Sequence, residues 1–340
     1  MSKKNSNVIL KNSFKDYNEL SNIYLNFKKK LNLFKKKNFL IAVSGGPDSL
    51  ALAALAKSYN YENRSKIFYV LVDHKLRKNS SQEAQLVKKL LKKHGINLYI
   101  LNNNKIIKKN IQSEARKVRY SLLSSFCKKK NINVILTAHN LEDQVETFFI
   151  RLSRGSGLDG LSSMKKINKI ENSIKLVRPL LDFKKIELIK ISKIIFGKYY
   201  KDPSNKNKKY LRTRIRNLKE ILETSGINYD QVIKSIKNLA SSKDTLDQYF
   251  NQIYKNTVNK KKSEIMIDLK IFDKINQEMK MRVFKKAIKD LTKSYYVARS
   301  KKIFNLIDQI KAKKNAKLTL GGCIISRKKN HINLRKEIKN

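Results

Sequence analysis

The stretch Phe39-Leu40-Ile41-Ala42-Val43-Ser44-Gly45-Gly46-Pro47-Asp48-Ser49-Leu50-Ala51-Leu52 passes from an apolar segment through a short glycine-bearing loop into a helical pattern. The apolar part reads as a strand ending at Val43, the loop as Ser44 to Ser49, and the helix as running on through Leu50. Gly45 and Gly46 permit positive φ and close approach of the backbone, while backbone N–H groups and the positive end of the following helix offer a seat for an anion. Ser44 and Ser49 add hydroxyl donors, and Asp48, next to Pro47, adds a carboxylate. A Walker loop would close on Gly-Lys-Ser/Thr and a dinucleotide fingerprint would read GxGxxG; neither is present.

Outward from this loop the pattern alternates. NFLIAVS is followed by LALAALAKSY, KIFYVLVDH, QEAQLVKKLLKKH, INLYIL, EARKVRYSLLSSFCKKK and NVILTAH. Runs such as FYVLV and VILTA suit strands buried on both faces, and the amphipathic stretches between them suit right-handed crossovers. The expected fold is therefore α/β, a doubly wound parallel sheet, with its ligand at the carboxyl ends of the strands. After about Tyr210 the alternation gives way to Lys-rich helical patterns, and the chain closes on KLTLGGCIISRKKNHINLRKE, which reads as a small terminal hairpin. Three regions are expected: a basic, helical extension over 1–36, a catalytic domain over 37–216, and a mostly helical, basic domain over 217–340.

Three more motifs fall at or near expected strand ends. Asp73 and His74 lead VDHKLR at the end of the second strand, either as nucleotide-side groups or as an ordinary solvated loop. Arg116 and Arg119 stand three apart and share a helical face, which suits a clamp on phosphates or a surface pairing with Glu114. His139, Asp143 and Glu146 lie in AHNLEDQVET after the strand Asn133–Thr137. The two acids, again three apart, suit magnesium coordination or holding an amine, and equally complement a helix dipole. His139 is a candidate participant in the chemistry or a ring bonded to backbone at the strand end. Downstream, Arg151 and Arg154 belong to the glycine-punctuated RLSRGSGLDGL, Arg178 to RPLL, Asn205 to DPSN, and Arg212, Arg214 and Arg216 form a cluster.

Basic residues number 77 against 27 acidic, a net charge of +50. A surface of that sign favours polyanions, nucleic acid first. Only 14 of the 77 are Arg, leaving 63 Lys, so a compositional drift toward AT-rich codons explains the excess as readily. Against that background the Arg cluster at 212–216 stands out. Cys127 and Cys323 are far apart in sequence and form no CxxC pair, so neither a disulfide framework nor a zinc knuckle is suggested, and a reducing cytoplasm fits. The start MSKKNSNVILKNS lacks a continuous apolar h-region and no apolar run of about 18 residues occurs, so neither an export signal nor a membrane span is expected.

SGGPDS resembles the SGGxDS loop of ATP pyrophosphatases, which cleave ATP between the α and β phosphates. By that resemblance Ser44, Gly45, Gly46, Pro47, Asp48 and Ser49 hold the leaving pyrophosphate, with Asp48 helping to position magnesium. The ordered set SGGPDS, VDHKLR, EARKVRY, TAHNLEDQVET, RLSRGSGLDGLSSM, RPLL and DPSN, spanning about Asn38 to Arg216, is similar to the N-terminal domain of bacterial tRNA(Ile)-lysidine synthetases, and the chain's length is similar to that family's short form. Asn207 and Thr213 depart from the acid and the Asn that the family often carries there.

The resemblance implies a two-step ligation at the wobble cytidine of an isoleucine tRNA with anticodon CAU. The cytosine O2 attacks the α-phosphorus of ATP and expels pyrophosphate; free lysine then attacks C2 through its ε-amine and AMP leaves. Codon and amino-acid identity switch from methionine to isoleucine. ATP and Mg2+ are the implied cofactors. Asp48, Asp143, Glu146, Arg116 and His139 are the implied catalytic residues, Asp48 and Asp143 the metal ligands. Asp73 and His74 join the phosphate loop on the nucleotide, and Arg119, Arg151, Arg154, Arg178, Asn205, Arg212 and Arg216 meet tRNA or lysine. The nearest rival is a tRNA cytidine thiolase on the same loop, which needs a reactive Cys or a Cys-ligated cluster. A non-catalytic RNA-binding module with a relic nucleotide fold is the rival outside enzymology.

Overall fold

The computed structural model describes residues 5–34, 38–63, 65–77, 79–107, 110–170, 174–200, 203, 207, 209–261, 263–292, 300–312 and 317–337. The chain divides into two units, Met1–Leu239 and Ala240–Asn340. In chain order the first carries α1 (Ser6–Lys11), α2 (Asn18–Asn32), β1 (Phe39–Val43), α3 (Pro47–Asn63), β2 (Ile67–Asp73), α4 (Ser80–Lys92), β3 (Leu98–Asn102), α5 (Ile111–Lys129), β4 (Val134–Leu136), α6 (Leu141–Leu152), α7 (Leu158–Leu161), β5 (Ile167–Lys169), β6 (Lys175–Val177), α8 (Lys185–Phe196), α9 (Leu211–Asn217), α10 (Lys219–Thr224) and the first part of α11 (Tyr229–Thr257).

Its sheet has the order β3-β2-β1-β4-β6-β5. All neighbours are parallel except β5, which returns antiparallel to β6. β1 sits between β2 and β4, with Ile41 opposite both Tyr69 and Leu136. The strand order therefore reverses between β1 and β4, and a crevice opens there at their carboxyl ends. The side-chain period of two explains why these strands are apolar throughout: Phe39, Ile41, Leu71 and Val134 enter one core with α3 and α8, while Leu40, Val70, Ile135 and Leu176 enter the other with Leu123 and Cys127 of α5. The α/β expectation holds.

Within the basic N-terminal segment, the described residues 5–34 carry two helices and contribute to this core. Ile9, Leu10, Leu20, Ile23, Tyr24, Phe27 and Leu31 are buried with β1 and α3, each large side chain contributing roughly 1.5–3 kcal/mol by its burial. The lysines between them keep their charges outward, as at Lys30, whose Nζ reaches the Pro179 carbonyl at 2.7 Å and Asp182 at 2.8 Å. At the other end, α9, α10 and the start of α11 stay with the first unit: Ile215 is buried, and Tyr229, Val232 and Ile236 pack on Leu141 and Val145 of α6. The alternation of the sequence stops near 210, but packing carries the first unit on to Leu239.

The second unit holds the rest of α11, β7 (Val258–Lys260), β8 (Glu264–Asp268), α12 (Leu269–Lys274), α13 (Gln277–Thr292), α14 (Ser300–Ala312), β9 (Lys317–Leu320), β10 (Cys323–Lys328) and β11 (His331–Lys336). The expected terminal hairpin is there as β10 and β11 across the basic turn at 329–330, and the sheet extends on one side to β9, through Gly321 and Gly322 at positive φ, and on the other to β8 and β7, giving five antiparallel strands. Ile265, Ile267, Ile325, Ile332 and Leu334 face α13 and α14, which supply Phe284, Ile288, Ile303 and Ile307 to the same core.

Candidate active site

The loop after β1 is held by its own hydroxyls. The Ser44 amide and hydroxyl both reach Ser49 Oγ, at 3.1 and 3.2 Å, and Ser49 Oγ donates to the Gly46 carbonyl at 2.9 Å. Gly45 lies at φ +84°, and a Cβ there would stand 2.5 Å from Val87 Cγ2, so both the conformation and the close packing require glycine. The helix begins at Pro47, inside the motif and not after it; proline suits a first helical position because its missing N–H is not needed there.

Asp48 follows in the first turn of α3. Its Oδ1 is buried and has no hydrogen-bond partner among the described residues. Burial pushes its carboxyl up to about 6; Lys185 and Asn140 pull against this, while Asp143 and Glu142 add to it. That mutual influence places Asp48, at the end of β1, beside the start of α6, at the end of β4. Two hard carboxylates facing one crevice, one with an unsatisfied oxygen, suit magnesium, which takes most of its shell from phosphates and water. No group of three or more His, Cys, Asp or Glu side chains able to hold a metal occurs among the described residues.

α6 opens with a reciprocal cap: Asn140 Oδ1 accepts from the Asp143 amide at 2.9 Å, and Asp143 Oδ2 accepts from the Asn140 amide at 3.2 Å. This turns Asp143 Oδ1 toward Arg216, 3.7 Å away. Glu146, one turn on, is 3 % exposed. Arg216 Nε donates to its Oε1 at 2.5 Å, and Arg212 Nε stands 3.2 Å from its Oε2 as an ion pair without hydrogen-bond alignment. Burial raises the Glu146 carboxyl above its ordinary range, and Arg216 works against that rise. His139 Nδ1 meets Thr137 Oγ1 at 3.0 Å. Burial pushes its imidazole down to about 4; Asp143 opposes, and Arg178, Arg116 and Arg212 reinforce the fall. The ring is neutral at pH 7, and all these charges surround one crevice.

A PP-loop domain family matches residues 18–222. The tRNA(Ile)-lysidine synthase of Wolbachia pipientis wMel is 35 % identical over 297 residues, which cover 86 % of this chain and 69 % of that protein. The enzyme of the same name from Orientia tsutsugamushi (strain Boryong) is 39 % identical over 204 residues, 58 % of this chain and 45 % of that protein. The chain belongs to the tRNA(Ile)-lysidine synthase family. Members are ATP-using ligases of the PP-loop class, and ATP use is therefore assigned here as well. Among solved structures, the U34-tRNA thiolase NcsA from Methanococcus maripaludis with its [4Fe-4S] cluster shares the fold, at a TM-score of 0.55 and 20 % identity over 65 % of this chain and 78 % of that one.

Cys127 and Cys323 are not joined in a disulfide, and each is buried in the core of its own unit, Cys127 beside Leu123 and Ile135 and Cys323 beside Ile325 and Ile288. Burial raises the Cys323 thiol, the opposite of what a sulfur carrier requires.

The remaining expected residues separate into engaged and exposed groups. Both oxygens of Asp73 are taken by the chain itself, Oδ2 by Ser81 Oγ at 2.6 Å and Oδ1 by the Lys75 amide at 2.9 Å. Burial would raise this carboxyl, yet those bonds outweigh it and hold it low. His74 Nε2 accepts from Arg119 Nε at 3.3 Å, so its proton sits on Nδ1; burial and Arg119 push the ring down to about 4, against Asp73. Arg151 and Arg178 donate to loop carbonyls. Arg116 stacks on Tyr120 at 5.0 Å, and Arg116, Arg119 and Arg154 are exposed. Asn205 lies outside the described residues.

Two participants escaped notice in the sequence. Lys185, at the start of α8, acts on Asp48 and anchors α6 through its amide, 2.9 Å from Glu142 Oε2. Gln144 clamps a distant loop. Nothing local marks either, although Gln144 lies inside the quoted AHNLEDQVET.

Proposed function

We propose that this chain ligates free L-lysine to C2 of the wobble cytidine of tRNA(Ile) with anticodon CAU, in the cytoplasm, at the expense of ATP. The observation that carries the reading is the meeting, at one crevice between β1 and β4, of the phosphate loop with its unsatisfied Asp48 and of the carboxylate pair Asp143 and Glu146.

In the first step the cytosine O2 forms a bond to the α-phosphorus of ATP as the bond to the β-phosphate oxygen breaks. Backbone N–H groups of Gly45, Gly46, Asp48 and Ser49 and the amino end of α3 seat the leaving pyrophosphate, an in-line transfer that depends on position and charge neutralisation. Magnesium, held by Asp48 with Asp143, would offset charge on the phosphates. In the second step the lysine ε-amine forms a bond to C2 and AMP departs with O2. The amine needs to be neutral although its ordinary pKa is about 10.4. Asp143 and Glu146 hold it, burial of the site disfavours its charged form, and His139, unprotonated at neutral pH, accepts a hydrogen bond from it, the proton released as the C–N bond forms passing to solvent. The exposed Arg116, Arg119 and Arg154 meet the tRNA backbone, and a splayed single-stranded loop lets the base leave its stack.

The test is incubation of the protein with ATP, magnesium, radiolabelled lysine and transcribed tRNA(Ile) bearing CAU, beside the CAU-bearing methionine tRNA. Label in the isoleucine tRNA alone is the expected result. Pyrophosphate release without label would overturn the nucleophile and leave only the adenylating loop.

A further inference from the structure

The segment after α6 is tied back to that helix by side chains at both of its ends. The Gln144 carboxamide forms a two-point bridge with the backbone of one residue: Oε1 accepts from the Met164 amide at 2.8 Å and Nε2 donates to the Met164 carbonyl at 3.0 Å. Ser163, at φ +59° and buried, donates its hydroxyl to the Gln144 carbonyl at 3.1 Å. Two turns along the same side of the helix, Arg151 Nη1 donates to the carbonyls of Gly160 at 2.6 Å and Ser163 at 2.9 Å. The loop closes tightly enough that a Cβ on Gly160 would lie 2.5 Å from Ser156 Cβ. Residues 144 and 151, seven apart, stand on one side of α6, next to the side that carries Asp143 and Glu146. Arg154 is exposed on this loop; its amide donates to the Arg151 carbonyl at 3.1 Å, while its guanidinium has no hydrogen bond or ion pair with any described residue.

We propose that Gln144 and Arg151 are positioning residues, not substrate contacts: they fix the 152–163 loop against the helix bearing the carboxylates, so that Arg154 presents a preset guanidinium to an RNA phosphate. This rests on the reading of the site as tRNA-modifying. A guanidinium spent on two carbonyls is not available to phosphate, whereas one on a rigid crest binds without first losing loop entropy.

The test is a double-mutant cycle on the full chain, read as KM for tRNA, for lysine and for ATP. Arg154→Ala is expected to raise the KM for tRNA about tenfold, a single phosphate contact, and to reduce the salt dependence of binding by about one ion. Gln144→Leu is expected to raise the KM for tRNA similarly while those for lysine and ATP move far less, and the double variant to be no worse than either single one, because an unfixed loop no longer presents Arg154. Ser163→Ala, a milder cut in the same clamp, covers the case in which Gln144→Leu fails to fold, and is expected to give a smaller rise of the same kind. Multiplying effects in the cycle, or an Arg151→Ala loss seen in kcat and not in the KM for tRNA, overturns the proposal. A wild-type protein that labels no tRNA with lysine overturns the functional reading instead.

Discussion

Two carboxylates close strands of the same sheet and meet opposite fates. Asp73, at the end of β2, has one oxygen on the Lys75 amide and the other on Ser81 of α4, and those bonds hold its carboxyl below the usual range. Asp48, just past the end of β1, has a buried oxygen without a partner among the described residues and a carboxyl pushed up to about 6. The first is stabilised by the fold; the second is left for something the fold does not supply. Position at a strand's carboxyl end is therefore not what separates scaffold from chemistry. The difference is that β1 and β4 flank the reversal of strand order, where a crevice opens, whereas β2 lies between β1 and β3.

The sharpest way to break this contrast is to neutralise both acids in turn. Asp48→Asn is expected to reduce lysine incorporation by about a thousandfold, since it removes a charge placed against the transferring phosphoryl group, while the protein stays folded. Asp73→Asn is expected to leave turnover within about threefold and to lower the melting temperature, costing about 1–2 kcal/mol as the hydrogen bonds to a charged acceptor weaken. Equal losses of turnover would erase the distinction.

Acidity probes the same contrast less severely. A carboxyl whose folded value is raised, as at Asp48, contributes stability that is complete below its ordinary value near 3.8 and is lost as pH rises through about 6. Without ligands, the wild type is expected to gain thermal stability relative to Asp48→Asn as pH falls from 7 toward 4. Turnover is expected to decline in the same direction near pH 6, as the carboxylate protonates. His74 and His139, both pushed to about 4, contribute no inflection between pH 5 and 8. A turnover profile flat across pH 6 would contradict the assignment of that limb to Asp48.

Much of this was legible before any coordinates. Alternating apolar strands and amphipathic helices around Ser44–Ser49 were enough for the doubly wound sheet, because strands buried on both faces cannot look otherwise. The basic segment 1–36 concealed its packing behind lysines, although Leu20, Ile23, Tyr24, Phe27 and Leu31 repeat at helical spacing. β5 and β6, three residues each, are too short for any period to register. The five-stranded sheet depends on β8 pairing with β11 across about sixty residues, a contact that no local pattern announces. The same holds inside the site. The spacing of Asp143 and Glu146 was readable, but not that Arg212 and Arg216, 66 and 70 positions beyond Glu146, would neutralise it. Nor did any local pattern show that Arg151 and Arg178 would donate to loop carbonyls.

The central claim is that one crevice performs both steps, with Asp48 serving adenylation and Glu146 serving the amine. The most direct test is Glu146→Gln, followed by parallel measurement of tRNA-dependent pyrophosphate release and of labelled lysine entering the tRNA. Pyrophosphate release within a few-fold of wild type, with lysine incorporation down about thirtyfold or more, as expected when one member of a buried charge pair is removed, is the predicted result. Loss of both signals together, or full retention of lysine transfer, would contradict it.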